Sequence, residues 1–362
     1  EDNKIYIETT QESMDQEIRY AKHAGIDYWA FQYYPQTSGF HIPLNIYLTS
    51  KSKNDVKFCY IFHDAHLPTI KQELSLIINR MKMGNYVTVD NQRPLVYLMG
   101  DGWTFQDVET LRNAASQAGL PPIYLVIMGY HGLTATQLTI QLGGQATSAY
   151  VRAGSGGISY NDFAKSESEF WKTYLNDNHD FIPFVTTGWD PRPIGEFIDS
   201  LPPEDQAATR QWYPTRSDPD FYVSTATASG ISNHLKSALD FVKKNQSCKV
   251  PNTVLMYSWN EFTEGGWLCP VADGGTQRLD AIKTMLVQYY KNTPVPTFAV
   301  SPIPTGSISS GISDSSNSSP DSSHSQSNSS DSNENSDNFS QSTFPKDSDS
   351  SNILNSSSDL SG

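Results

Sequence analysis

Two glutamates three residues apart, Glu261 and Glu264, lie in the stretch Ser258-Trp-Asn-Glu-Phe-Thr-Glu-Gly-Gly-Trp-Leu268. Two carboxyls in one place can divide an acid–base reaction. One gives a proton to a leaving oxygen, and the other acts as base or nucleophile. Trp259 and Trp267 bracket the pair, and an indole offers a flat apolar face to the C–H face of a pyranose ring. This is equipment for breaking a bond between sugars. Glutamates at strand ends are more often solvated loop charges, and Gly-Gly is more often a plain turn. The position of this pair raises it above that background: it follows Thr253-Val-Leu-Met-Tyr257, an apolar run that reads as a buried strand.

That strand belongs to a longer rhythm. Strand-like runs fall at 27–33, 57–62, 94–99, 123–128, 146–151, 181–186 and 253–257, and helical patterns at 11–24, 69–83, 105–118, 162–175 and 233–244. Alternation of this kind builds βαβ units on a parallel sheet, and near-continuous apolar strands fit a sheet covered on both faces. The expected class is α/β, an eight-stranded (β/α) barrel of the TIM type over residues 1–298. Lys4-Ile-Tyr-Ile-Glu8 is short and weakly apolar, so the first strand is expected upstream of Glu1. An open doubly wound sheet is the alternative, but no glycine-rich phosphate loop supports it.

A barrel collects its chemistry where the strands end. Those ends carry Gln32, Tyr33 and Tyr34, then His63, Asp64 and His66, then Asp101 and Trp103, Tyr130 and His131, Tyr150 and Arg152, Gly188-Trp-Asp-Pro-Arg192, and finally Trp259, Asn260, Glu261 and Glu264. Glu261 and Glu264 are the candidate catalytic residues. Tyr34, Asp64, Trp189, Asp190, Trp259 and Asn260 are the candidate sugar contacts. Trp189-Asp190 reads equally as a sugar-binding pair or a packed loop. His63-Asp-Ala-His66 offers too few ligands for a zinc site, so no metal or other cofactor is expected.

Composition narrows the partners. The net charge is −14, and the segment after Ser301 carries eight acids against one base, half of that excess. No clustered Lys and Arg form a nucleic-acid surface. No apolar run is long enough to span a membrane. Residues 299–362 are rich in Ser, Asn and Asp and poor in aliphatic side chains, which predicts a disordered tail. Cys59 reads as a buried thiol, while Cys248 and Cys269 flank the last strand and are a candidate pair. The chain starts at Glu1 without a signal peptide and reads as processed or as a fragment. Sequons stand at Asn245, Asn317, Asn328, Asn338 and Asn355, and the first of these points to an extracellular or cell-surface location; a monomer is expected.

Four segments resemble one known group. Trp259-Asn-Glu-Phe-Thr-Glu-Gly265 is similar to the W-N-E-W-x-E-G signature of proteins related to glycoside hydrolase family 99. These are endo-α-mannosidases, endo-mannanases and bacterial proteins of polysaccharide gene clusters. Ala24-Gly-Ile-Asp-Tyr-Trp-Ala30, Asn91-Gln-Arg-Pro-Leu-Val-Tyr97 and Gly188-Trp-Asp-Pro-Arg-Pro193 resemble further parts of the same group. The resemblance covers roughly residues 10–290. It implies a (β/α) barrel with Glu261 as the base that deprotonates the sugar 2-hydroxyl and Glu264 as the acid. The 2-oxygen then attacks the anomeric carbon, and water opens the 1,2-anhydro sugar with net retention. Phe262 stands where the group has Trp, and Thr263 where its mannosidases have His, so the sugar does not carry over.

The expected function is therefore a glycoside hydrolase acting on an α-linked glycan or polysaccharide. A glycosyltransferase and a catalytically silent glycan-binding barrel are the alternatives. No D-x-D motif in a suitable loop favours the transferase.

Overall fold

The computed structural model describes residues 10–129, 132–175, 178–203, 206, 220–271 and 275–291. Lys4–Glu8, Tyr130, His131 and the tail from 299 lie outside these. The first helix, α1 (Gln11–Ala24), starts on a capping box in which Thr10 and Ser13 satisfy each other's backbone N–H, and ends on Gly25 at φ 84°. A left-handed C-terminal residue favours glycine, which has no Cβ to clash.

Parallel strands follow: β1 (Tyr28–Gln32), β2 (Lys57–His63), β4 (Arg93–Met99), β5 (Tyr124–Met128), β6 (Ala146–Ser148) and β7 (Asp180–Phe181). They are hydrogen-bonded in that order, with the short β3 (Thr88–Val89) antiparallel on β4. A second parallel pair joins β8 (Phe184–Thr186) to β9 (Leu255–Tyr257). The helices between are α2 (Ile42–Thr49), α3 (Leu67–Gln72), α4 (Leu74–Met81), α5 (Phe105–Gln117), α6 (Gly132–Leu142), α7 (Tyr160–Phe170), α8 (Arg192–Ser200), α9 (Ala228–Lys244) and α10 (Gln277–Lys291). This is an α/β molecule on a parallel sheet. Among the described residues no ladder joins β9 to β1.

Three sequence expectations are corrected. The strand expected over 181–186 is divided at Ile182-Pro183. Proline has no N–H to give the ladder. Ile182 still donates to Thr147 O (3.0 Å), whereas the Pro183 carbonyl accepts from Leu255 N (2.9 Å). The strand thus leaves β6 and joins β9. The helix expected over 69–83 is broken at Glu73, whose carboxylate accepts from the Tyr33 hydroxyl and from Gln36 N. The three cysteines are free thiols, so Cys248 and Cys269 do not pair.

The core is unusually aromatic. Tyr33, Tyr47, Phe58, Tyr60, Phe62 and Tyr97 are fully buried around β1–β4, and Trp171, Tyr174, Phe181 and Phe184 pack together beside β8. Many of the chain's aromatic rings are thus core material, and each contributes roughly 1.5–3 kcal/mol by leaving water.

Candidate active site

Glu261 and Glu264 sit on a small hairpin after β9. Asn260 and Glu261 pair antiparallel with Gly266 and Trp267, and a single tight turn over Phe262–Glu264 connects them. Gly265 turns the corner at φ 75°. The base of the hairpin is pinned by Ser258, whose hydroxyl donates to Gly266 O (2.7 Å) and accepts from Glu261 N (3.0 Å). The Tyr257–Ser258 peptide is cis.

Glycines let this hairpin meet the loop after β8. A Cβ on Gly188 would lie 2.0 Å from Gly265 O, and one on Gly266 would lie 2.6 Å from the Tyr257 ring. Asp190 N donates to Glu264 O (2.7 Å), and Thr187 N donates to Tyr257 O (2.6 Å). The two motifs singled out in the sequence, Gly188-Trp-Asp and Trp259-Asn-Glu, are therefore one packed unit.

Both carboxylates face the same two phenols. Tyr150, just beyond β6, donates to Glu261 Oε1 at 3.4 Å. Tyr257, the last residue of β9, donates to Glu264 Oε2. The two rings meet edge to face with centroids 5.3 Å apart. Burial is the main force raising each phenol's pKa, and the charges of Glu261 and Glu264 raise both further. The Tyr34 phenol raises Tyr150 as well. Both phenols therefore stay protonated, as fixed donors to the carboxylates.

The remaining candidates divide. Tyr34 is at the site, half-buried, with its ring 5.1 Å from Phe40 and 5.2 Å from His66. Asn260 is exposed on the hairpin. Asp64 is held by His63 Nδ1 (2.7 Å) and Gly102 N (2.8 Å). Burial pushes its carboxyl up, but these bonds outweigh it and hold the pKa below the usual range. Asp190 forms a two-pronged pair with Arg192 (2.7 Å at each oxygen), which holds its carboxyl low. Trp189 is 5% exposed and packs on Phe221 and Tyr257, so it supports the site from below rather than offering a face to a ligand. Trp259 lies against Trp29 (5.1 Å) and donates its indole N–H to Glu17 of α1 (2.7 Å). Its indole N–H is anchored by the helix.

Tyr257 escaped the sequence reading. Its only signal was its place as the last residue of the strand that carries the pair. Tyr150 appeared among the strand-end residues, but nothing local tied it to Glu261, 111 positions away.

Among the described residues no three His, Cys, Asp or Glu side chains gather as a metal set, and no helix is long and apolar enough to cross a membrane. A cavity of about 470 Å³ lies at the opposite strand ends, lined by Arg93 and Arg112. Their guanidiniums are engaged by Asp90, Glu109 and backbone carbonyls, so its walls are structural.

No family model and no curated relative matches the sequence. Solved structures do match. A GH99 endo-α-mannosidase from Bacteroides thetaiotaomicron, in complex with bis-tris-propane, aligns with TM-score 0.50 and 12% identity over 78% of this chain and 85% of its own. A second structure described as the GH99 endo-α-mannosidase of that organism aligns with TM-score 0.50 and 13% identity over 78% and 80%. The chain has a GH99-like fold.

Proposed function

We propose that this protein is a glycoside hydrolase that cleaves an α-linked glycan with Glu261 and Glu264 as its acid–base pair. The observation that carries the proposal is the convergence of both carboxylates on Tyr150 and Tyr257 at the C-terminal end of a parallel sheet. The GH99-like fold supports it, because catalytic groups in such α/β architectures lie at that end of the strands. In this reading the strands belong to a (β/α) barrel.

The division of labour follows the family resemblance. Glu261 takes the proton of the substrate 2-hydroxyl while Glu264 gives one to the departing oxygen. The 2-oxygen attacks the anomeric carbon from within the sugar, and water reopens the three-membered ring with Glu264 now acting as base. Substrate participation of this kind replaces the enzyme nucleophile of the ordinary retaining scheme. Tyr257 and Tyr150 fix the two carboxylates for their separate tasks. Tyr34 and the open face of the Asn260 hairpin contact the sugar.

The direct test is a screen of α-mannan, α-glucan and rhamnose-containing polysaccharides for new reducing ends. At least one should be cut by the wild type and not by Glu261→Gln. Finding no cleavage of any α-linked glycan would count against the assignment. A smaller effect is expected for Tyr257→Phe. The ring and its packing on Gly266 remain, but the hydrogen bond that fixes the Glu264 carboxyl is lost. Loss of one hydrogen bond costs about 1 kcal/mol, so Tm should fall by a few degrees, and kcat on glycan should fall roughly tenfold as the carboxyl loses its orientation. Unchanged kcat would remove Tyr257 from the site.

A further inference from the structure

The parallel sheet is incomplete beside the site. β6 ends at Ser148, whose hydroxyl donates to Ile182 O (2.9 Å), so beyond Ile182 no strand of the ladder faces that side of the chain. Thr186, the last residue of β8, nevertheless has every backbone group engaged. Its N–H donates to Glu167 Oε1 of α7 (2.9 Å), its hydroxyl donates to Glu167 Oε2 (2.6 Å) and accepts from Arg152 N (3.2 Å), and its carbonyl accepts from the Tyr160 hydroxyl (2.8 Å). Glu167 is fully buried. Its carboxyl stands where a neighbouring strand's carbonyl would stand.

Behind it lies His234 of α9, also buried, its ring stacked on Trp171 (5.6 Å, 16°). Nδ1 is 3.2 Å from the Tyr160 oxygen, and Nε2 is 3.3 Å from Glu167 Oε1. Tyr160 has one proton, and the buried Thr186 carbonyl takes it. His234 Nδ1 must therefore be the donor to Tyr160, which leaves Nε2 facing a carboxyl oxygen. Nε2 is buried without a hydrogen bond of its own, and the Glu167 carboxyl is 3.3 Å away, close enough for a small shift to place a proton between them.

We propose that Glu167 and His234 share one proton, and that with it Glu167 is a positioning residue, holding the end of β8 and through it the loop that grips Glu264. The linkage is short. Thr187 follows Thr186 and accepts from Ser258 N (3.2 Å) at the start of the hairpin, and Asp190 N bonds Glu264 O. Arg152, Tyr160 and Tyr174 are the other ionisable groups facing Glu167, and Arg278 faces Tyr160. Burial raises the Glu167 carboxyl to about 7 against the pull of Thr186 and Arg152, and burial lowers the His234 ring to about 3. The raised Glu167 value contributes stability that is present below its unfolded value of 4.5 and lost as pH rises through 7. The depressed His234 value contributes stability that is present above its unfolded value of 6.5 and lost as pH falls through 3. Between the two unfolded values the pair holds one proton in both the folded and the unfolded chain, so these trends cancel.

The test compares the wild type with Glu167→Gln by urea unfolding between pH 4.5 and 6.5. The glutamine keeps the shape and an acceptor for Thr186 N–H, but the shared proton has no second holder. Unfolding should then take up one proton. The gap between the two unfolding constants should widen by about tenfold per pH unit as pH falls. A gap that stays constant across the window would overturn the shared proton. For the positioning role, which rests on the proposed activity, Glu167→Ala should lose roughly 10²-fold in kcat on glycan by misplacing Glu264. Aryl glycosides with good leaving groups should be spared, and Glu167→Gln should recover most of the loss. An equal loss on both substrate types, or no recovery, would overturn it. The unfolding measurement needs no activity, so it stands even if the hydrolase reading fails. If Glu167→Ala does not fold, Glu167→Asp, whose carboxyl is one methylene shorter, should show the same loss confined to glycan, and an equal loss on aryl glycosides, or none, would overturn the positioning role.

Discussion

Glu264→Gln should lose about 10²–10⁴-fold in kcat on its glycan while keeping turnover of activated aryl glycosides. A sugar alkoxide is a poor leaving group and must be protonated as it departs, whereas a dinitrophenolate needs no proton. Glutamine is nearly isosteric and still accepts from the Tyr257 hydroxyl, so the hairpin keeps its shape. The loss can then be assigned to the proton rather than to folding. Steady-state kinetics on paired substrates provide the check, with Tm as the control. Equal activity of the variant and the wild type on glycan would remove Glu264 as the acid.

The second large effect is expected from a residue with no side chain. Gly188→Ala places a Cβ 2.0 Å from Gly265 O, a contact between two backbones with no flexible side chain to yield. The loop after β8 and the hairpin must separate. Overpacking of this kind costs about 1–3 kcal/mol. The same separation strains the Asp190 N to Glu264 O bond that sets the height of the acid. A shift of about 1 Å in a catalytic group costs roughly 10²-fold in rate. Lower Tm together with a loss concentrated on poor leaving groups is the expected pattern. A variant with wild-type Tm and kcat would show that the two loops do not depend on their close approach.

The parts of the fold that sequence reveals are those governed by local rules. The runs 57–62, 94–99 and 123–128 read as strands because both faces are buried, and the structure keeps them within a residue of those bounds. The helix over 11–24 is bounded by a cap and a glycine that any reading can see. Helix α2 escaped because Ile42–Thr49 is apolar on nearly all sides and lacks a 3.6-residue stripe. The break in 181–186 was legible in Pro183, whereas the switch of partner from β6 to β9 was not, because strand order is a long-range property.

The site shows the same division. The glutamate pair is compact in sequence, and the structure brings both members to the same phenols. Asp190 and Arg192 are two residues apart, and their pairing was within reach of a local reading. Trp259 was read as a candidate sugar contact, and what the sequence does not show is that Glu17, 242 positions away, holds its indole N–H. Trp189 read equally as a sugar contact or a packed loop residue, and it is buried. A tryptophan beside a carboxylate carries no sign of which side of its backbone faces water, and only packing decides that.

The most direct measurement is a proton NMR time course of the wild type acting on an α-linked glycan that it cleaves. With Glu261 activating the 2-hydroxyl and Glu264 the leaving oxygen, two inversions should release the α anomer first, with the β anomer growing in only by mutarotation. A β anomer appearing first would mean direct attack by water and would contradict the role given to Glu261.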